Sequence, residues 1–218
     1  MHRQSSDLAE LTEALAPQAS KGVAVVIGRF NPPTIGHYAI INAAKKFIRS
    51  HPALALDAAP VVVIIDGKGD LAKNPLSARQ REQFMAASGH ADGVKFLTAP
   101  NAFAAFAQLR EQRMEPIAVA AGSDRIADYM RMLDNYFMTD DSQPIQHYEI
   151  SAPRTQDQDL STLSAQGSPD IRAVSATLAR RAVELDWFDE FVQLTGLTNK
   201  RALARRMFDA IKKASGQE

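Results

Sequence analysis

Two stretches of the chain are apolar at every position, residues 23–27 (Val-Ala-Val-Val-Ile) and 61–65 (Val-Val-Val-Ile-Ile), and each runs into a Gly or Asp with turn residues after it. Continuous β-branched runs of this kind are what strands look like when helices cover both faces of a parallel sheet. Shorter runs at 94–97, 117–120 and 148–150 bring the expected strands to five. Between them apolar residues recur at helical spacing: 35–49 with Ile41, Ala44 and Ile48 on one face, 77–88, 102–113, and 124–133 with Ile126, Met130 and Leu133. Strand and helix in alternation predict an α/β, Rossmann-like doubly wound parallel sheet of about five strands. Ligands of such sheets sit beyond the carboxyl ends of the strands.

The stretch 140–170 is rich in Ser, Gln, Asp and Pro, and 154–169 reads as a long exposed loop of the length that lids have. After it, 173–183 and 199–213 read as helices, the second with Leu203, Met207 and Ile211 at four-residue spacing and Arg or Lys opposite. Leu8, Leu11 and Leu15 point to a short amphipathic helix outside the sheet. The expected division is an N-terminal helical extension at 1–20, a main domain at 21–190, and a basic amphipathic C-terminal helix at 191–218 packed on it.

Composition narrows the chemistry. With 218 residues, 45% of them apolar and 23% charged, the chain is long enough to bury a core without a disulfide or metal staple. Lys plus Arg number 25 and Asp plus Glu 25, so no global field draws in nucleic acid or an anionic membrane, and phosphate chemistry has to be local. Lys200, Arg201, Arg205, Arg206, Lys212 and Lys213 read as the solvated face of the last helix, and nucleic acid is not expected as a partner. The absence of cysteine removes thiolate chemistry and Cys-type metal sites. The five histidines lack metal-ligand spacing, so no protein-held metal is expected. Acidic residues stand where a secretion signal would be apolar, and no apolar run approaches membrane-spanning length, which predicts a cytoplasmic protein without a membrane partner.

The first strand runs into Gly28-Arg29-Phe30-Asn31-Pro32-Pro33-Thr34-Ile35-Gly36-His37, where the first long helix begins. Gly28 allows a tight bend and close approach to a ligand, the prolines stiffen the loop, and Gly36 leaves room at the helix start. A helix N-terminus offers free N–H groups and partial positive charge to a phosphate. Thr34 and His37, three apart, would share a face and flank it. This segment resembles the strand-to-helix signature GxFxPxHxGH of the nucleotidyltransferase superfamily, in its TxGH variant.

Three further segments are similar to the family's later motifs, in the family's order. Lys73-Asn74-Pro75-Leu76-Ser77 resembles its Lys-containing phosphate loop, with Lys68 as the alternative cation. Gly122-Ser123-Asp124-Arg125 follows the fourth strand; Asp124 can cap the next helix or accept from a ribose or acceptor hydroxyl, and Arg125 can hold an anion. Val174-Ser175-Ala176-Thr177-Leu178-Ala179-Arg180 resembles ISSTxxR. The resemblance covers about residues 23 to 181 and makes 21–190 a nucleotidyltransferase domain. The combination looks most like the small nucleotidyltransferases of tailed bacteriophages, which would put the protein in a host cytoplasm.

The resemblance implies transfer of AMP from ATP to the phosphate of a small acceptor, by direct in-line attack with pyrophosphate leaving. His37 would donate to the α-phosphate, Thr34 would help orient it, Lys73 would contact acceptor and α-phosphate, and Arg180 would neutralise the pyrophosphate. Ser175 and Thr177 would grip the β- and γ-phosphates with Mg²⁺ bound through them. The Gly28, Arg29 and Phe30 backbone would line the nucleotide, with Gly36, Gly122, Asp124 and Arg125 around it. Asn31-Pro32-Pro33 resembles the nicotinate/nicotinamide mononucleotide adenylyltransferases and favours ATP over CTP. Thr34 and Ala176 depart from the family pattern, each in place of a phosphate contact. The alternatives are a cytidylyltransferase, or a nucleotide-binding or virion-associated protein without turnover. Phe103 and Phe106 are expected in the core, Tyr129 is a candidate to stack on a ring, and the terminal helices offer surfaces for a homo-oligomer.

Overall fold

The computed structural model of the chain describes residues 20–67, 73–137, 145–152 and 170–216. The expected N-terminal helix, the loop at 154–169 and Lys68 lie outside them. Five strands form a single parallel sheet: β1 (Lys21–Gly28), β2 (Val61–Ile65), β3 (Lys95–Ala99), β4 (Met114–Gly122) and β5 (Tyr148–Ala152), in the order β3-β2-β1-β4-β5. The sequence expectation of a doubly wound α/β sheet is met. β1 lies at the centre, with Val25 in register with Val61 of β2 and Val119 of β4. The register with β4 slips by one residue past Val23 and Pro116, where proline has no N–H to give to the ladder.

Because successive strand residues point to opposite faces, the all-apolar strands supply two cores. Val23, Val25, Ile27, Val61, Val63 and Val119 pack under α3 (Ala102–Glu111) and α4 (Ile126–Tyr136), with Phe106, Leu109 and Leu133. Ala24, Val26, Val62, Ile64, Ala118 and Ala120 pack under α1 (Ile35–Ser50) and α2 (Ala78–Ser88), with Tyr38, Ile41 and Met85. Phe106 is fully buried as expected, but Phe103 is 47% exposed, because only one face of the short α3 meets the sheet.

A third core gathers the helices expected at 173–183 and 199–213 around a further one between them. The helices α5 (Ala176–Glu184), α6 (Phe188–Thr195) and α7 (Arg201–Ala214) bury Leu178, Phe191, Leu194, Leu203, Met207, Phe208 and Ile211 together with Leu76. The two-turn α6 escaped the periodicity reading because it is so short. Its markers were nonetheless present: Asp189 and Glu190 in the first turn and Gly196 as a left-handed cap at φ 68°. Three basic residues of α7 are engaged locally: Arg205 lies 3.5 Å over the Phe188 ring, Arg201 pairs with Asp189, and Lys212 bonds Asp186 at 2.8 Å. Among the described residues, no helix is long and apolar enough to cross a membrane.

At the amino ends of the strands, opposite the cleft described below, Asp57 ties two strand starts together. Its carboxylate accepts from Lys95 Nζ at 2.8 Å and from the Ala59 N–H at 3.0 Å, and Lys21 Nζ stands at 3.2 Å. The Lys95 hydrogen bond, first among these, holds the carboxyl well below the ordinary carboxylate range. A carboxyl depressed in the folded state stabilises the fold above its unfolded pKa of about 4 and loses that contribution as pH falls. Asp57→Asn should therefore lower the urea midpoint at neutral pH, and the gap to the parent protein should close as the pH is taken below 4, as followed by circular dichroism.

Candidate functional site

A cleft of about 1210 Å³ opens between the carboxyl ends of β1 and β4, where the chain's winding reverses across the sheet. This is the crevice where open α/β sheets take ligands. Its lining includes Gly28, Arg29, Phe30, Gly36, His37, Lys73, Gly122, Asp124, Arg125, Ser175, Thr177 and Arg180. Each site residue expected from the sequence thus borders one cleft, with the exception of Thr34.

Thr34 is fully buried and does not line the cleft, where it was expected. It precedes α1, and both its backbone N–H, at 3.1 Å, and its hydroxyl, at 2.9 Å, meet His37 Nδ1. The amide can only donate, so Nδ1 is the acceptor and the neutral imidazole carries its proton on Nε2. The pair that was expected to flank a phosphate is instead a support and its ring.

The loop before α1 reaches its shape by an unexpected route. Gly28 does not take a positive φ; Phe30 does, at 51°. The strain of about 1–2 kcal/mol for a non-glycine residue there persists only under firm constraint. The Phe30 ring is buried, lies 5.0 Å from the His37 ring, and would stand 3.2 Å from a Cβ on Gly28. Gly28 therefore makes room for Phe30. Gly36 makes room for the chain itself: a Cβ there would come 2.7 Å from the Val174 carbonyl oxygen and 3.3 Å from that of Ile171.

Two residues of this loop are gripped from a distance. Arg81, 1% exposed, donates to the Arg29 carbonyl at 2.6 Å and the Ile65 carbonyl at 2.9 Å, and bonds Asp66. Burial pushes its pKa down and Asp66 opposes the shift. The sequence reading passed over it, although a lone Arg among Ala78, Met85 and Ser88 on the buried face of α2 was a visible signal. Asn31, also 1% exposed, bonds both backbone groups of Leu76. Its carboxamide is thus taken up by the Leu76 backbone.

Arg180 donates to the Asn31 carbonyl at 2.6 Å and to Thr177 Oγ1 at 3.1 Å. α5 begins three residues later than expected, after a short 3₁₀ turn, because Ser175 is its N-cap and accepts from the Leu178 N–H at 3.1 Å. The hydroxyl oxygens of both Ser175 and Thr177 thus have partners within α5. On the other wall, α4 starts at Ile126 with Arg125 in the cap position, so Asp124 does not cap it. Asp124 and Arg125 remain about 60% and 59% exposed at the cleft. Tyr129 lines the same wall, and burial raises its phenol pKa, leaving it a proton donor at neutral pH.

The charge of the lining differs from that of the whole. Arg29, Lys73, Arg125, Arg180 and Arg181 face the cleft against Asp124 and Glu184, an excess of cations in a chain whose formal charge is zero. A low-dielectric crevice with such walls concentrates an anionic ligand.

No protein-family model matches the chain, and no curated protein matches it in sequence. Solved structures share its fold. The Plasmodium falciparum nicotinic acid mononucleotide adenylyltransferase aligns in its complex with NaAD (TM-score 0.53, 16% identity, 87% of this chain and 98% of that one). Its complex with APC aligns similarly (TM-score 0.52, 15% identity, the same coverage). A macrolide-efflux protein from Streptococcus pneumoniae aligns over 84% of this chain and 57% of its own, at TM-score 0.50 and 18% identity. At these identities the likeness is one of fold.

Two measurements check this geometry. Nitrogen-15 NMR at a pH where the ring is neutral should find His37 Nδ1 unprotonated and Nε2 protonated; the opposite tautomer would contradict the Thr34 support. Gly36→Ala should cost about 1–3 kcal/mol in chemical denaturation, because the group it strikes is backbone and cannot swing aside.

Proposed function

We propose that the protein transfers AMP from ATP to the phosphate of a small acceptor and releases pyrophosphate, in the manner of a nicotinate or nicotinamide mononucleotide adenylyltransferase. The observation that carries this reading is the meeting of His37, Lys73 and Arg180, from three separate segments, in one cationic cleft at the sheet's crevice. The shared fold with the Plasmodium adenylyltransferase supports it.

In this reading an oxygen of the acceptor phosphate attacks the α-phosphorus of ATP. The bond from that phosphorus to the bridging oxygen breaks, and pyrophosphate carries the electron pair away. Such a transfer needs alignment and neutralisation of charge more than a protein nucleophile. His37, with its proton held on Nε2 by Thr34, donates to an α-phosphate oxygen as charge builds there. Lys73 lies beside acceptor and α-phosphate, and Arg180, oriented by Asn31 and Thr177, faces the departing pyrophosphate. Thr34 acts only through the His37 ring. Among the described residues no group of three or more His, Asp or Glu is gathered to hold a metal. A Mg²⁺ would be carried on the triphosphate, where it would neutralise phosphate charge.

A pyrophosphate-release screen of ATP against CTP, over phosphorylated acceptors that include nicotinamide and nicotinate mononucleotides, tests the reaction. ATP should support release and CTP should not. His37→Ala should lower kcat by about 10²–10³-fold with the fold retained. Near-normal turnover in that variant would remove His37 from the chemistry. Binding of ATP with no release from any acceptor would leave a nucleotide-binding protein without turnover.

A further inference from the structure

Asn31 connects two parts of the cleft that are far apart in sequence. Its carboxamide is 1% exposed, donates from Nδ2 to the Leu76 carbonyl at 2.9 Å and accepts at Oδ1 from the Leu76 N–H at 3.1 Å. Leu76 stands three residues after Lys73, so this paired bond anchors the loop that carries the lysine. The carbonyl oxygen of the same Asn31 accepts from Arg180 at 2.6 Å, while the other end of the guanidinium meets Thr177 Oγ1 at 3.1 Å. A planar guanidinium held at two of its nitrogens has its orientation set.

We propose that Asn31 is a positioning residue that couples the two cationic arms of the cleft, the Lys73 loop and the Arg180 guanidinium, so that neither is set independently of the other. The proposal rests on the cleft's use for a triphosphate, while the coupling itself belongs to the fold. A carboxamide is what the site requires. An aspartate could accept from the Leu76 N–H but would turn an oxygen without a proton towards the Leu76 carbonyl, and an apolar residue would leave both Leu76 groups unpaired in a buried place.

Two readouts test it, and neither needs turnover. The first is amide hydrogen exchange in the Arg180→Ala variant. Exchange at the Leu76 amide, whose acceptor is Asn31 Oδ1, should accelerate about tenfold, with the β2 amide of Val63 unchanged as the control for global opening. An unchanged Leu76 amide overturns the coupling. The second is calorimetric titration with Mg·ATP and with AMP, which lacks the β- and γ-phosphates. Asn31→Asp should weaken Mg·ATP about tenfold and AMP less than about twofold, and its penalty on Mg·ATP should shrink to under about threefold once Arg180 is alanine. Equal losses for both ligands, or the same penalty in both backgrounds, mean a merely structural residue and overturn the proposal. If the aspartate variant does not fold, Asn31→Ser replaces it, and the exchange measurement stands without either. Absence of pyrophosphate release in the parent protein would sink the transfer reaction while leaving both readouts able to decide the coupling.

Discussion

The backbone from Arg29 to Asn31 is held by two arginines that come from separate helices. Arg81 reaches it from α2 and takes the Arg29 carbonyl, and Arg180 reaches it from α5 and takes the Asn31 carbonyl. Phe30 stands between those carbonyls in a left-handed conformation that its side chain disfavours. A strained residue persists where its surroundings over-determine it, and hydrogen bonds from charged donors are the strongest restraint available in a protein of this kind. Release of either carbonyl would let Phe30 relax and move the ring that packs against His37.

The same constraint explains why the helical layer formed by α5, α6 and α7 belongs to the site as much as to the core. Its apolar side packs on Leu76 and on the start of α1, and its first helix delivers Arg180. Gly36 lets the backbone before α5 cross the first turn of α1 without a collision. The walls of the cleft are thus fixed by the packing of elements that are distant in sequence. The cations gathered there sit on a rigid frame, and a positively charged crevice in a chain of zero net charge is specific in place where a basic protein would not be.

Much of this was legible before folding. The two all-apolar runs could only be covered strands, and their alternation with amphipathic helices left little choice of sheet. Glycine, proline, threonine and histidine between β1 and α1 read as a helix start suited to an anion, and that helix begins at Ile35 as expected. The roles within the motif were less legible. Thr34 was expected to face a ligand and faces its neighbour; Gly28 was expected to bend and instead gives up volume; of the two roles open to Asp124, a cap on α4 or a contact to a ligand hydroxyl, the cap position belongs to Arg125. Residue type tells what a side chain is able to do, and its direction depends on what packs behind it.

The order of apolar and polar residues by itself determined the five strands and the crevice at their carboxyl ends, because those follow from periodicity, while the segments around Lys73 and Ser175 that border it were marked by their resemblance to a known family's motifs. Only the tertiary structure decided that Arg81 takes the Arg29 carbonyl, that Asn31 binds Leu76, and that Arg180 takes the Asn31 carbonyl. These are contacts between residues 45, 52 and 149 positions apart, made by polar groups that have no periodicity of their own. Their partners are backbone carbonyls and amides, which every residue carries alike, so nothing in the chain's letters could single them out.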